Sequence, residues 1–347
     1  MTHVKTYKYT LLLLGLFIVT GLTIIVSSGM GYMQIPVIEI VQVLLANITG
    51  NKDILETMDK AVPFVVMDVR LPRILTAALV GGGLAMSGVV YQGILLNPLA
   101  DPYTLGVSSG AAFGASLALL ANLVLPGVMS VPLFAFAGAV ATLFIVLHLS
   151  SFQGQISANT LILSGVIVGA ILSAGISFIK YLADEQVAVI IFWLMGSFAS
   201  RGWTDVAVVA VAVFIGMLIT IYYGRDLNIM SLGGRSADSL GVETARTRKI
   251  LLVTASMVAA ICVAVSGIIG FVGLIVPHLM RFVVGPDNRK LLPVSVFAGA
   301  TLLLIADTVT RAVLPAEVPI GVLTALIGGP FFCVIFRRKQ KRGNNGL

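Results

Sequence analysis

Charged residues are scarce in this chain. Lys, Arg, Asp and Glu together make up 11% of the 347 residues, whereas hydrophobic residues make up 58%, and the mean hydropathy is +1.04. So little charge cannot cover the surface of a water-soluble domain of this length. The composition therefore excludes an ordinary soluble protein and predicts an all-α, polytopic membrane protein with one domain over residues 1–347.

Residues that bind metals or form crosslinks are also few. The chain has three histidines and two cysteines, and Cys262 and Cys333 each lie alone within an apolar run. This spacing indicates neither a metal site nor a disulfide framework, so both cysteines are predicted to be packing residues. No G-x-x-x-x-G-K-[ST] phosphate-binding loop occurs either. We therefore expect this chain to bind no metal or cofactor. We also expect any energy that its function needs to come from a partner protein.

Long apolar runs dominate the sequence instead. A helix needs about 20 apolar residues to cross a bilayer. By this rule the chain has ten candidate spans, of which the eighth is short: residues 10–28, 72–96, 103–123, 131–149, 159–180, 204–223, 249–268, 270–284, 291–313 and 321–336. Glycines such as Gly81 and Gly88 in the second span predict surfaces where helices approach closely.

The distribution of basic residues predicts the orientation. Both tails are basic, and residues 337–342 are strongly so. With ten spans and both termini in the cytoplasm, fifteen of the 22 Lys and Arg residues lie inside and seven outside, as the positive-inside rule requires. The net charge of +7 then reflects topology, and no nucleic acid partner is needed.

One long polar segment, residues 224–249, interrupts the apolar runs on the predicted cytoplasmic side. Its glycines and serines favour two short helices. We expect residues 233–234 to end a first turn, Ser236 to cap a short helix through Leu240, and Gly241 to terminate it. So long a charged stretch between two spans indicates a contact with a soluble partner.

Five motifs, which follow one another over nearly the whole chain, resemble the iron-chelate and cobalamin permease family of ABC importers. They are VRLPRIL (69–75), MSGVVYQGILLNPLADPYTLGVSSGAAFG (86–114), SLGGRSADSLGV (231–242), SGIIGFVGLIVPHLMRFVVGPDNRKLLP (266–293) and ADTVTRAVLPAEVPIG (306–321). The resemblance implies the permease architecture of a type II ABC importer: a homodimer of ten-span subunits in the bacterial cytoplasmic membrane. It also implies two cytoplasmic ATPase subunits that carry ATP and Mg, an external binding protein, and a metal chelate as substrate. A ferric siderophore is expected first, then haem, then a corrinoid.

The resemblance also implies roles for particular residues. The coupling contact with the ATPase would comprise Gly233, Gly234, Arg235, Ser236, Ala237, Leu240 and Gly241. Docking of the binding protein would use Arg70, Arg73 and Arg311, although arginines at span ends also simply extend to the interface. The cytoplasmic gate would include Asn97, Leu99, Ala158 and Asn159, although Asn97 also suits the start of a turn.

The substrate pathway is expected along the fifth span. Small and weakly polar residues recur there, namely Ser164, Gly165, Gly169, Ser173 and Ser177. Ser173 and Ser177 are one turn apart and share a face. A wall without fixed charge suits a bulky ligand, but such serines also form hydrogen bonds to neighbouring helices.

Two other functions remain open from sequence. Gly106 to Gly110 fits G-x-S-x-G, the pattern of a serine hydrolase, but neither His148 nor His278 has a context that makes it the general base. Asp307, an acid within the ninth span, suggests a proton-coupled secondary transporter. Arg311, four residues further on, offers it a local ion pair instead.

Overall fold

The computed structural model describes residues 2–50, 55, 58–125, 127–152, 155–313 and 317–344. Nearly all regular structure there is helical. The helices are α1 (Thr2–Gly29), α2 (Val37–Thr49), α3 (Ala61–Phe64), α4 (Leu71–Leu95), α5 (Val107–Val124), α6 (Val131–Ser150), α7 (Ala158–Leu182), α8 (Val187–Leu194), α9 (Trp203–Tyr222), α10 (Gly224–Met230), α11 (Gly234–Ser239), α12 (Thr244–Ser266), α13 (Val272–Val284), α14 (Asn288–Ala312) and α15 (Ile320–Asn344). A π-helical stretch, Val65–Arg70, joins α3 to α4, and a 3-10 turn, Asp184–Gln186, precedes α8. Ser151–Phe152 pairs with Gln155–Ile156 as two very short antiparallel strands.

The predicted spans are confirmed. Among the described residues, eight helices are long and apolar enough to cross a membrane, and the shorter apolar helices Val272–Val284 and Ile320–Cys333 occupy the predicted eighth and tenth positions. The remaining short apolar helix, α2, packs through Ile40 and Val43 on residues near the start of α4. The protein is therefore an all-α, multi-pass membrane protein.

Helix α4 forms the centre of the bundle, since 89% of its apolar window is buried. Its glycines permit contacts that any side chain would block. A Cβ on Gly81 would lie 2.3 Å from the carbonyl oxygen of Gly299 in α14, and one on Gly88 only 1.8 Å from that of Gly273 in α13. Close backbone approach replaces the hydrophobic driving force that membrane helices lack. The predicted glycine surfaces are confirmed.

Between α12 and α13 the backbone is irregular. Gly267 and Phe271 both have positive φ, and the intervening residues form no helix. At 13 residues, α13 extends about 20 Å, less than the hydrocarbon thickness of about 30 Å. Protein surrounds the irregular stretch, because Tyr103 donates to the carbonyl of Ile269 and the Ser197 amide to that of Ser266. Such enclosure lets non-helical backbone exist at membrane depth.

The two cysteines differ in environment. Cys262 is fully buried, and its sulfur lies 2.9 Å from where a Cβ on Gly83 would be, so the prediction of a packing residue holds there. Cys333 is exposed on α15, so the same prediction was wrong for it. An apolar run in a membrane protein contains lipid-facing as well as buried positions.

Candidate coupling, docking and pathway sites

The polar segment folds as two short helices, α10 and α11, as the sequence predicts, but its caps differ. Helix α11 begins at Gly234 with Gly233 as N-cap (φ 101°), so Ser236 lies within its first turn and is not the cap. At its C-terminal end, the Val242 amide donates to the carbonyl of Ala237 and the Gly241 amide to that of Asp238. This pair of bonds is a Schellman motif, and Gly241 supplies the required positive φ of 84°.

The segment has a small core of its own. Met230, Ala237 and Val242 are buried together, so Ala237 packs inside the segment, and its role in the coupling contact stays a prediction. The surface that faces away from the bundle combines exposed Arg235 with two leucines, Leu232 (66% exposed) and Leu240 (61%). Leu232 was missed in the sequence. Its signal was a large apolar residue beside glycines within a polar segment.

Three connections fix the polar segment, residues 224–249, to the bundle. This candidate for the coupling contact is called the coupling segment below. The Asn228 side chain donates to Asp287 (2.7 Å) and accepts from the Asn288 amide (2.8 Å), which joins α10 to the start of α14. Leu227 of α10 packs against Gly93 of α4. Asp238 accepts a hydrogen bond from Thr244 at the start of α12 (2.7 Å). Movement of the segment would therefore reach α4, α12 and α14 directly.

The three predicted docking arginines lie together at the opposite end of the bundle, where α1 and α14 end and α4 begins. Arg70 is only 5% exposed and donates to the carbonyls of Ser28 and Met33. Arg311 donates to the carbonyls of Ser27 and Met30, both at 2.8 Å. Cations here satisfy the last carbonyls of α1 and complement its dipole. In this conformation both guanidinium groups therefore donate hydrogen bonds to backbone carbonyls of their own chain.

Arg73 has two acidic partners. It contacts Asp307 at 3.0 Å and Glu317 at 3.1 Å, and the side-chain exposures are 12% for Arg73, 1% for Asp307 and 54% for Glu317. The expected local pair of Asp307 with Arg311 was wrong, because a residue from another helix lies in better position. Asp307 is thus a buried structural partner, and Glu317 is the partner that solvent reaches.

The predicted gate residues lie at helix ends. Asn97 accepts from the Leu99 amide through its side chain (3.0 Å), and its carbonyl accepts from the Ala100 amide (3.1 Å). This local turn agrees with the alternative reading of Asn97. Leu99 is 38% exposed, and Asn159 is exposed beside Ala158 in the first turn of α7.

The predicted pathway residues do not form one continuous stripe. Ser164 and Gly165 are buried, and Gly165 packs against the backbone of residues 104–105. Ser173 and Ser177 are exposed and share a face, with the Ser177 hydroxyl donating to the Ser173 carbonyl. Gly169 lies between the two groups and is partly buried. Of the five predicted residues, Ser173 and Ser177 are therefore the ones available to a ligand or a second subunit.

The G-x-S-x-G pattern does not form a hydrolase site. Ser108 is buried in the first turn of α5, whereas His148 is exposed near the end of α6. A nucleophile and its base must lie within hydrogen-bond reach. The packed glycines of the motif, Gly106 and Gly110, fit against α7 and α6 instead.

Within the described residues, eight long and two shorter apolar helices form a bundle with a separate polar segment at one end, an architecture that suits a transport permease. The chain belongs to the FecCD transport family, whose model matches residues 16–338. It is 41% identical over 342 residues to the molybdate import system permease protein MolB of Haemophilus influenzae, covering 97% of this chain and 98% of that one. It is 44% identical over 279 residues to the cobalamin import system permease protein BtuC of Halobacterium salinarum, covering 80% and 74%. A solved inward-facing structure, of an ABC transporter assigned to the metal-chelate type, matches with a TM-score of 0.81 at 37% identity and covers 94% of this chain and 98% of that one.

Proposed function

We propose that this chain is the membrane subunit of a homodimeric, binding-protein-dependent ABC importer in the bacterial cytoplasmic membrane, with both termini in the cytoplasm. The cargo is a metal chelate: a ferric siderophore first, then haem or a corrinoid. Two ATPase subunits supply the energy on the side of residues 224–249. An external binding protein delivers the cargo to the arginine-containing end.

The coupling segment is the observation that carries this proposal. It combines an exposed apolar pair, Leu232 and Leu240, with the charged Arg235, on a segment that has its own core. Apolar side chains surrounded by polar ones on a rigid element mark a protein contact. Its connections to α4, α12 and α14 allow a partner's movement to reach the spans.

The nature of the cargo rests on the family relationship. BtuC and the metal-chelate structure favour a chelate, and the wall of exposed Ser173 and Ser177 suits a bulky ligand that must not be held tightly. Molybdate is the second candidate, because the match to MolB covers almost all of both chains. The ranking of chelates follows the frequency of substrates in the resembling family.

The test is transport in proteoliposomes that contain the chain with its partner ATPase and binding protein. We expect ATP-dependent uptake of a radiolabelled chelate. Leu232→Asp with Leu240→Asp should abolish uptake and ATPase association, because two buried carboxylates would have no partner at the contact. A matched pair at the opposite end, Leu125→Asp with Val128→Asp, should keep the ATPase bound.

Three outcomes would contradict the proposal. Normal ATPase association in the Leu232/Leu240 variant would remove the coupling role. Uptake by the chain alone, driven by a pH gradient without ATP, would make it a secondary transporter. Uptake of molybdate with no uptake of any chelate would replace the proposed cargo by the second candidate.

A further inference from the structure

A cleft of about 520 Å³ lies at the end of the bundle that carries the coupling segment, between α1 and the turn from α13 to α14. Its polar lining comes from Lys8 and Tyr9 of α1 and Lys290 of α14. The ammonium group of Lys290 lies 5.8 Å from the centre of the Tyr9 ring. Two cations and a phenol thus converge from two helices that are far apart in sequence.

The walls of the cleft are apolar. Leu12 of α1 and Val283 and Val284 at the end of α13 line it with hydrocarbon. The nearby carboxylate of Asp287 keeps its negative charge, because the two groups that its Oδ1 accepts from, the Arg289 amide (3.1 Å) and the Asn228 side chain (2.7 Å), are neutral. Two lysines against this one carboxylate leave the cleft with a net positive charge. The cleft therefore offers cations at its mouth and hydrocarbon contacts behind them.

The position of the cleft indicates where its ligand comes from. Only 11% of the apolar window of α1 is buried, so most of this helix is left uncovered by the rest of the chain. An uncovered apolar span is accessible to lipid. Lys8 lies at the start of that span and Lys290 in the first turn of α14, which places both at the same membrane boundary. Basic clefts between helices at this level suit anionic lipid headgroups.

We propose that this cleft is a binding site for one anionic phospholipid, with the phosphate between Lys8 and Lys290 and an acyl chain along Leu12 and Val284. A lipid bound there would hold α1 against the start of α14. That start also carries Asp287, which binds the coupling segment through Asn228. The lipid would therefore stabilise the element on which the coupling segment rests.

The experiment is native mass spectrometry of the detergent-purified chain, titrated with phosphatidylglycerol, phosphatidylcholine or inorganic phosphate. We expect a first, tightest site for phosphatidylglycerol only. Lys8→Gln with Lys290→Gln should weaken that site about 30-fold, because each cation near an anionic lipid contributes about a factor of five. Lys8→Arg with Lys290→Arg should retain it, since the charge is kept.

A matched variant, Arg225→Gln with Lys249→Gln, removes two exposed cations from the same end but outside the cleft. It should bind phosphatidylglycerol as tightly as the unchanged chain. An equal loss in both double variants would reduce the effect to general surface charge and overturn the site. Binding of inorganic phosphate, or of phosphatidylcholine with equal affinity, would also overturn it. None of these readouts depends on transport.

Discussion

Replacing Asp307 by asparagine tests how the cluster of Arg70, Arg73 and Arg311 is held. Asp307 is 1% exposed and contacts Arg73, itself only 12% exposed, at 3.0 Å. Breaking a buried ion pair from one side costs about 3–5 kcal/mol, because the remaining charge stays buried without its partner. Glu317 still contacts Arg73 at 3.1 Å, so we expect the lower end, about 3 kcal/mol. Glu317→Gln should cost less than about 1 kcal/mol, since Glu317 is 54% exposed.

The assay is unfolding of the detergent-solubilised protein by titration with a denaturing detergent, followed by circular dichroism. Arg73→Leu with Asp307→Leu serves as a control, because an apolar pair of similar volume removes both charges and should recover most of the lost stability. Equal losses for the Asp307 and Glu317 variants would refute the distinction between a buried and an exchangeable partner. So would a loss below about 1 kcal/mol for Asp307→Asn.

The same variants separate stability from docking. An acidic residue of the binding protein would compete with the exposed Glu317 for Arg73, so Glu317→Gln should speed association, most strongly at low ionic strength. Asp307→Asn should not give this gain, because it disturbs the buried side of Arg73. An association rate that is unchanged and independent of salt in Glu317→Gln would return Arg73 to a purely structural role.

Two further substitutions test the packing and the coupling. Gly88→Ala would place a Cβ 1.8 Å from the Gly273 carbonyl oxygen, so it should lower the free energy of unfolding by about 1–3 kcal/mol or more in the same assay. Gly21→Ala is the control, because a Cβ there meets nothing within 4 Å and should be neutral or stabilising. Equal effects of the two variants would contradict the close contact at Gly88. Asn228→Ala removes two hydrogen bonds that join α10 to α14. ATP hydrolysis should continue, while the amount of substrate transported per ATP hydrolysed should fall. An unchanged ratio of substrate to ATP would show that this connection does not transmit movement.

The spans could be predicted from sequence because the bilayer imposes one length on them. The predicted second span, 72–96, corresponds to Leu71–Leu95, and the fourth, 131–149, to Val131–Ser150. Even the short eighth run was correct as Val272–Val284. Each of these depends only on local composition, which the sequence contains in full.

The partners of the charged residues could not be predicted in the same way. Arg73 and Asp307 are separated by 234 positions, and only the packing of α4 on α14 brings them together. The i, i+4 rule suggested Arg311 for Asp307, but Arg311 instead binds the carbonyls at the end of α1. Local rules fail where a tertiary partner competes with a neighbour on the same helix.

The coupling segment shows the same limit at shorter range. Its two helices were predicted from glycines, but the cap was assigned to Ser236 by residue preference, whereas Gly233 takes that position. Ala237 was expected to meet a partner, yet it lies in the small core with Met230 and Val242. Which side of a six-residue helix faces inward depends on neighbours that no periodicity within it can reveal.

Helix α14 connects the two ends of the molecule physically. Its N-cap, Asp287, and its first residue, Asn288, form hydrogen bonds with Asn228 of the coupling segment. Its last turns carry Asp307 and Arg311, which lie in the arginine cluster with Arg73. Its 25 residues extend about 37 Å. Pro293, which has no N–H to donate, removes one backbone hydrogen bond soon after the helix begins. It also packs closely along the central helix α4. In the proposed importer, a shift imposed by the ATPase at Asn228 would therefore reach Asp307 and its partner Arg73 through one continuous helix. Signals from an arriving binding protein would travel along the same helix in the opposite direction, because such coupling is reciprocal.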